Sequence, residues 1–322
     1  MSRRSRINFI WRLALVVVAG LAAPLAHARC SVSNATAASL GTVTSFSVRN
    51  QQQSTSSTNS GLSCSGSLLG LLVIGDFINA TVNSTGNGSL VGPSGDKIPY
   101  QLYADQNFSI TLIPGSTYNY ASGQLLNLLG IFGGPSKGLP IYMRTQTGSN
   151  VAAGTYTDTI TINWNWNYCT GIGVLFICLG RDIGSGTSTI PLTLTVTNDC
   201  TIAAPDVNFG AAPTVASFAP VTGNLSLTCT KGMVYTVGLT TGANPASNGR
   251  RQMASGANRL QYDLYSAATN TVWQDATNRV SSAAAADGVS VQQFPYIGRI
   301  YTDQATPPTG TYTDSVIVDV RY

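Results

Sequence analysis

The sequence predicts an all-β protein built of two Ig-like β-sandwich domains, and three observations carry that expectation. Short segments alternate apolar and polar side chains with a period of two, as strands with one buried face do. Clusters of Gly, Asn, Ser and Pro separate these segments. The same landmarks also occur twice in the same order, so one folding unit is present in two copies.

At the start of the chain, Arg3, Arg4, Arg6 and Arg12, the apolar stretch Leu13 to Leu25 and Ala26-His27-Ala28 read as a secretory signal peptide over residues 1–28. Its removal changes the charge. Four of the 17 basic residues leave with it, so 13 Lys and Arg face 13 acids and the basic pI carries no message about nucleic acid. The mature chain divides into an N-terminal domain, 29–198, and a C-terminal domain, 199–322, with the junction near Thr197-Asn198-Asp199.

In the first domain the expected order is Cys30, a strand TVTSF near Thr42, and a polar connection Gln51 to Ser60 without structure of its own. Cys64 ends the next strand, and another begins near Phe77. The motif YQLY (Tyr100 to Tyr103), a strand FSITLIP near Phe108, Arg144, the strand GTYTDTITINWNW from Gly154, and a last strand STIPLTLTVTN (Ser188 to Asn198) complete it. The second domain repeats the frame with Cys200, LSLTCT near Leu225, Cys229, YTVGL near Tyr235, YDLY (Tyr262 to Tyr265), Arg299 and GTYTDSVIV from Gly310. Six cysteines in a secreted chain imply three disulfides, with fifteen pairings open in principle. One bridge inside each copy would join Cys30 to Cys64 and Cys200 to Cys229, leaving Cys169 with Cys178 as a local staple; another pairing stays open.

Two absences bound the function. The only histidine, His27, belongs to the signal peptide, and every acidic residue is Asp. Catalysis by Ser-His-Asp or Cys-His sets and histidine metal sites are thereby excluded, and the scattered Asp residues form no local motif. No enzyme activity, cofactor or metal is expected.

One strand distinguishes the copies. After its GTYTD strand the first copy adds Ser188 to Asn198, whereas only Arg321 and Tyr322 follow the second copy's SVIVDV. A sandwich lacking its last strand exposes core side chains and an open edge, which a strand from another chain fills. Burying about four or five apolar side chains would contribute roughly 6 to 15 kcal/mol before entropy costs. With one mature residue before Cys30, the chain is expected to accept a strand without donating one, and so to end a fibre. Closure of the second sandwich with fewer strands is the plainer alternative.

Three segments are too apolar for ordinary connections: SLLGLLVIG (Ser67 to Gly75), GQLLNLLGIFGG (Gly123 to Gly134) and GIGVLFI (Gly171 to Ile177), the last held between Cys169 and Cys178. Base rates favour buried strands for such runs, and Leu125, Leu128, Leu129 and Phe132 also have helical spacing. Interrupting glycines, and their position between expected strands, argue instead for exposed loops. None approaches the ~18 uninterrupted apolar residues of a membrane span. Exposed apolar patches mark contact surfaces. The candidate surface-binding residues are Leu68, Leu69, Leu71, Leu72, Val73, Ile74, Leu125, Leu126, Leu128, Leu129, Ile131, Phe132, Val174, Leu175, Phe176 and Ile177. Trp164 and Trp166 read best as core beneath the third run, with a sugar-stacking platform as the other reading; Tyr118 and Tyr120 are similarly ambiguous.

The paired cysteine frames, the YxLY motifs, the later Arg and the repeated GTYTD strand resemble the spore coat U domain family, over essentially the whole mature chain. The two-domain layout is similar to the tip adhesin of archaic (Csu-type) chaperone-usher pili. The resemblance implies a periplasmic chaperone and an outer-membrane usher during assembly, and an adjacent pilin that donates its N-terminal strand. It also implies a pilus-tip location and apolar finger loops that attach to hydrophobic abiotic surfaces and promote biofilm. A glycan-binding tip and a structural coat-like or pilus subunit are the alternatives.

Overall fold

The computed structural model describes residues 29–65, 75–122, 137–174 and 177–322, so the expected signal peptide lies outside the described residues. The first unit runs β1 (Arg29–Val32), β2 (Ala38–Thr44), α1 (Ser45–Asn50), β3 (Ser54–Ser57), β4 (Leu62–Ser65), β5 (Phe77–Ser84), β6 (Ser89–Val91) and β7 (Lys97–Tyr103). It continues through β8 (Thr111–Leu112), β9 (Thr117–Asn119), β10 (Lys137–Gly138), β11 (Ile141–Thr145), β12 (Gly154–Val174) and β13 (Ile177–Thr197). The second unit comprises β14 (Cys200–Ala203), β15 (Val221–Cys229), β16 (Thr236–Leu239), β17 (Arg251–Ser255), β18 (Asn258–Ser266), β19 (Val280–Ser281), β20 (Gln292–Ile300) and β21 (Val318–Arg321).

The protein is all-β, and each unit packs two sheets over its own core. In the first unit the strands form a sheet β1-β4-β10 and a larger one with the path β2-β13-β12-β6-β7-β11-β3. In the second, β14-β15-β20-β18-β17 faces β19-β16-β21. Buried apolar residues fall into two clusters, one from Cys30 to Val196 and the other from Val215 to Ile300, following the alternation of each strand.

The internal repeat holds at the level of strand register. Gln101 faces Arg144 across β7 and β11, and Asp263 faces Arg299 across β18 and β20. GTYTD serves the same two purposes in each unit. Tyr156 and Tyr312 donate their hydroxyls to the carbonyls four residues upstream, Ala152 and Pro308, at 2.7 Å each, which is the tyrosine-corner arrangement of sandwich folds. Two residues later, Asp158 accepts from the Tyr100 hydroxyl at 2.5 Å and Asp314 from that of Tyr262 at 2.8 Å. The YxLY and GTYTD motifs therefore recur together because one hydrogen bond joins them. Burial, then the partner carboxylate, pushes both phenols up from their ordinary pKa.

Four local expectations are corrected. The strand at TVTSF stops at Thr44, whose hydroxyl accepts from the Ser47 N–H at 3.2 Å and caps α1. The connection Gln51 to Ser60 contains β3, a polar edge strand paired with β11, in which the buried Ser57 hydroxyl donates to the Thr36 and Asn59 carbonyls. Near Phe108 the strand begins only at Thr111, because the Asp105 carboxylate gathers the Ser109 and Ile110 N–H groups into a turn with Phe108 at φ 57°. In the second unit the SVIVDV segment becomes strand only from Val318, where it pairs with β16.

Candidate functional site

The described residues that flank the three apolar runs lie together at one pole of the first unit. The first run leaves β4 and the second returns through β10, with Cys64 opposite Lys137. At their other ends, β5 follows the first run and β9 precedes the second, with Asn79 opposite Asn119; the Tyr120 N–H donates to the Ile78 carbonyl at 2.7 Å. The third run crowns β12 and β13, and β5 lies alongside β12 with Phe77 opposite Asn167. Asp76, just after the first run, ties two of the roots together. Its carboxylate accepts from the Cys169 N–H at 3.2 Å and from Arg181 Nη2 at 2.6 Å.

Of the candidate surface residues, Leu68, Leu69, Leu71, Leu72, Val73, Ile74, Leu125, Leu126, Leu128, Leu129, Ile131, Phe132, Leu175 and Phe176 lie outside the described residues. Val174 and Ile177 face each other as the last paired positions of β12 and β13. This corrects the reading of the third run as a loop between two shorter strands: the strands continue, 21 residues each, into a hairpin stapled by the Cys169–Cys178 disulfide. The physical reason is register. Pairing runs unbroken from Gly154 to Cys169, then shifts once before resuming at Ile172. Cys200 is bonded to Cys229, and Cys30 is disulfide-bonded and directly opposite Cys64.

Beneath this pole the aromatic residues are packed away. Trp164 and Trp166 are 2% and 5% exposed, and the Tyr120 ring lies 5.8 Å from that of Trp164. The Trp164 indole N–H donates to Ser188 Oγ at 2.9 Å and that of Trp166 to Asp182 Oδ2 at 3.2 Å. A Cβ at Gly184 would fall 2.4 Å from the Trp166 ring, so the strand backbone itself lies against the indole. These rings support the pole and offer no open platform. Asp76, Asp182 and Arg181 were missed as contributors, since isolated polar residues carry no periodic signal; an Asp directly abutting an apolar run was the available hint. Among the described residues no group of His, Cys, Asp or Glu is placed to hold a metal.

A second feature lies along the GTYTD strand of the second unit. In the first unit Tyr156, Ile160 and Ile162 are fully buried, with Leu194, Ile190 and Ser188 of β13 directly opposite. Their counterparts Tyr312, Val316 and Val318 are only half-buried, and Ile317 is 67% exposed. The inner neighbours persist, since Thr313 bridges Ala254 and β21 pairs with β16. Among the described residues no strand takes the place of β13. The facing segment responds as well: Ala38 and Leu40 are buried in β2 beside β13, whereas the corresponding Val207 and Phe209 are half-buried and outside any strand.

Against curated protein sequences the chain finds no match. Among solved structures it is similar to the CsuC–CsuE chaperone–tip adhesion subunit pre-assembly complex of archaic chaperone-usher Csu pili of Acinetobacter baumannii. That likeness has 26% identity over 91% of this chain and 100% of that one, with a TM-score of 0.61. The CupB6 tip adhesin of Pseudomonas aeruginosa matches at 10% identity over 91% of this chain and 92% of that one, with a TM-score of 0.32. The model of the Spore Coat Protein U domain matches residues 15–163 and 186–319, taking in both copies of the cysteine, YxLY and GTYTD frame. The chain therefore belongs to the Spore Coat Protein U domain family.

Proposed function

We propose that this protein is a non-enzymatic tip adhesin of a chaperone-usher pilus, exported through the periplasm to the cell surface. In this reading residues 29–198 bind the target surface and residues 199–322 accept a strand. The observation that carries it is the division of labour between the units: three apolar runs rooted at one pole of the first, and a half-buried row of core side chains beside an open edge in the second. The similarity to a chaperone–tip adhesion subunit complex supports a periplasmic chaperone as the first occupant of that edge. A neighbouring pilin's N-terminal strand would replace it at an outer-membrane usher.

The sixteen candidate residues would then present aliphatic and aromatic surface to a hydrophobic substrate and so start biofilm. If about a dozen of these side chains each gained roughly 0.5 to 1 kcal/mol by half burial, attachment would reach ~6 to 12 kcal/mol before losses, without shape recognition. The test replaces the apolar residues of the three runs with Ser or Thr and measures cell adhesion to polystyrene while counting pili by microscopy. Loss of adhesion with normal pili is expected; unchanged adhesion with normal pili overturns the surface-binding reading.

A further inference from the structure

The two units are joined end to end through specific contacts. Lys231, two residues after Cys229, sets its Nζ 2.6 Å from Asp96 Oδ1 and forms a β-bridge with Ala152. Beside it the Thr230 and Ser45 hydroxyls meet at 2.7 Å, both buried. Across the joint Asn150 Nδ2 donates to the Asp287 carbonyl at 2.8 Å, while Arg49 Nη2 donates to Asn150 Oδ1 and to the Gly288 carbonyl. Gly288 has φ 84°, and a Cβ there would fall 2.2 Å from Asn150 Oδ1, so the fit leaves no space for a side chain.

The repeat identifies the corresponding seat on the second unit. Gly41 and Gly210, both in the left-handed region at φ 83° and 75°, align Ser45 with Thr214 and Arg49 with Phe218. The YxLY tyrosines align Asp96 with Asn258, and the tyrosine corners align Asn150 with Thr306 and Ala152 with Pro308. On the first unit Ser45 is buried and the other four are half-buried. On the second, Thr214, Asn258, Thr306 and Pro308 are exposed and Phe218 is half-buried. One seat is covered and its counterpart is open.

We propose that this open seat on the second unit, Thr214, Phe218, Asn258, Thr306 and Pro308, holds a further domain of the same fold. That domain is the next subunit of the fibre, set on the second unit as the second unit is set on the first. The proposal rests on the strand-accepting reading and adds an end-to-end contact beside the strand. The chemistry of the seat selects its occupant. Asn258 replaces Asp96 and Phe218 replaces Arg49, so the charges that receive Lys231 and Gly288 are gone. The loop after the neighbour's second cysteine therefore presents an uncharged hydrogen-bonding or apolar residue in place of a lysine, since a cation there would lose its water without gaining a partner.

Hydroxyl-radical footprinting of the full wild-type chain, free and within intact sheared pili, tests this without a substitution. Ile113, 58% exposed on the first unit, is the reference. A seat covered nine-tenths of the time slows oxidation of Pro308 and Phe218 about tenfold in pili, with Ile113 unchanged. If Tyr312 and Val316 become protected while Pro308 and Phe218 react at the same rate in both samples, the strand is accepted and the seat is refuted. If Tyr312 and Val316 also react equally, or the chain is absent from the pili, the strand-accepting reading falls and takes the seat with it.

Discussion

In the first unit the GTYTD strand lies between inner neighbours β5 and β6 and the outer strand β13; in the second the equivalent strand has, among the described residues, the inner neighbours β16 and β17 and no outer one. The same tyrosine corner and the same Tyr–Asp bond are made in both, so neither depends on the outer strand. What the outer strand supplies is burial: Ile160 is sealed, and Val316 is left half-open. The core frame and its last strand are thus separable, and a domain with a formed frame can remain unfinished.

The strongest way to break this comparison is to give the second unit what the first has. A second copy of residues 187–198, fused after Tyr322 through a flexible Gly/Ser linker, places Leu194, Leu192 and Ile190 equivalents opposite Tyr312, Asp314 and Val316. Burial of three aliphatic side chains at about 1.5 to 3 kcal/mol each, less ordering costs, should raise the thermal midpoint of the second unit by roughly 10 °C or more. A copy offset by one residue turns Thr inward and should give no gain. Calorimetry reads both, and equal behaviour of the two fusions would break the register argument.

A smaller effect comes from the shared carboxylates. Asp158 also accepts from the Ser84 hydroxyl and the Gly86 N–H, whereas Asp314 adds the Ala243 N–H. Asp158→Ala leaves three buried or half-buried donors unpaired and should cost about 2 to 4 kcal/mol in a urea melt. Asp314→Ala, beside the open edge, should cost about 1 to 2 kcal/mol. Costs in the reverse order would mean that the second unit, and not the first, relies on the motif.

The smallest expected effect concerns the joint. Burial raises the Asp96 carboxyl, but hydrogen bonds from Lys231 and the Ala152 N–H outweigh it and hold the group below the usual carboxylate range. A depressed folded-state pKa stabilises fully above the unfolded value of about 3.9 and is lost as pH falls through the folded one. Asp96→Asn should therefore cost about 0.5 to 1 kcal/mol at neutral pH, given the exposure of Lys231, and progressively less as pH falls below about 3.9. Urea melts at low ionic strength across that range measure it; a cost that persists undiminished at low pH would show that the ion pair is not its source.

Much of the frame was legible because it was written twice. YxLY and GTYTD recur with the cysteines, and the structure explains their co-occurrence by a single Tyr–Asp bond. Features that depend on one side chain were not legible. Helix α1 follows from one capping Thr, β3 is polar on both faces, and the start of β8 is delayed by the turn at Asp105. The candidate pole shows the same limit: apolar composition marked the three runs, but their common origin depends on Asp76 and on cross-strand registers that no period encodes.

The hairpin of β12 and β13 has a mechanical consequence. One strand pair seals the first core at its lower end and carries the third apolar run at its upper end, over roughly 65 Å of chain at ~3.3 Å per residue. Its second strand ends at Thr197, three residues before the Cys200–Cys229 bridge. A pull on the tip would travel along β13 straight into that covalent link. Ladder bonds run perpendicular to such a pull, so β12 and β2 resist it in shear, many bonds at once, instead of opening one rung at a time.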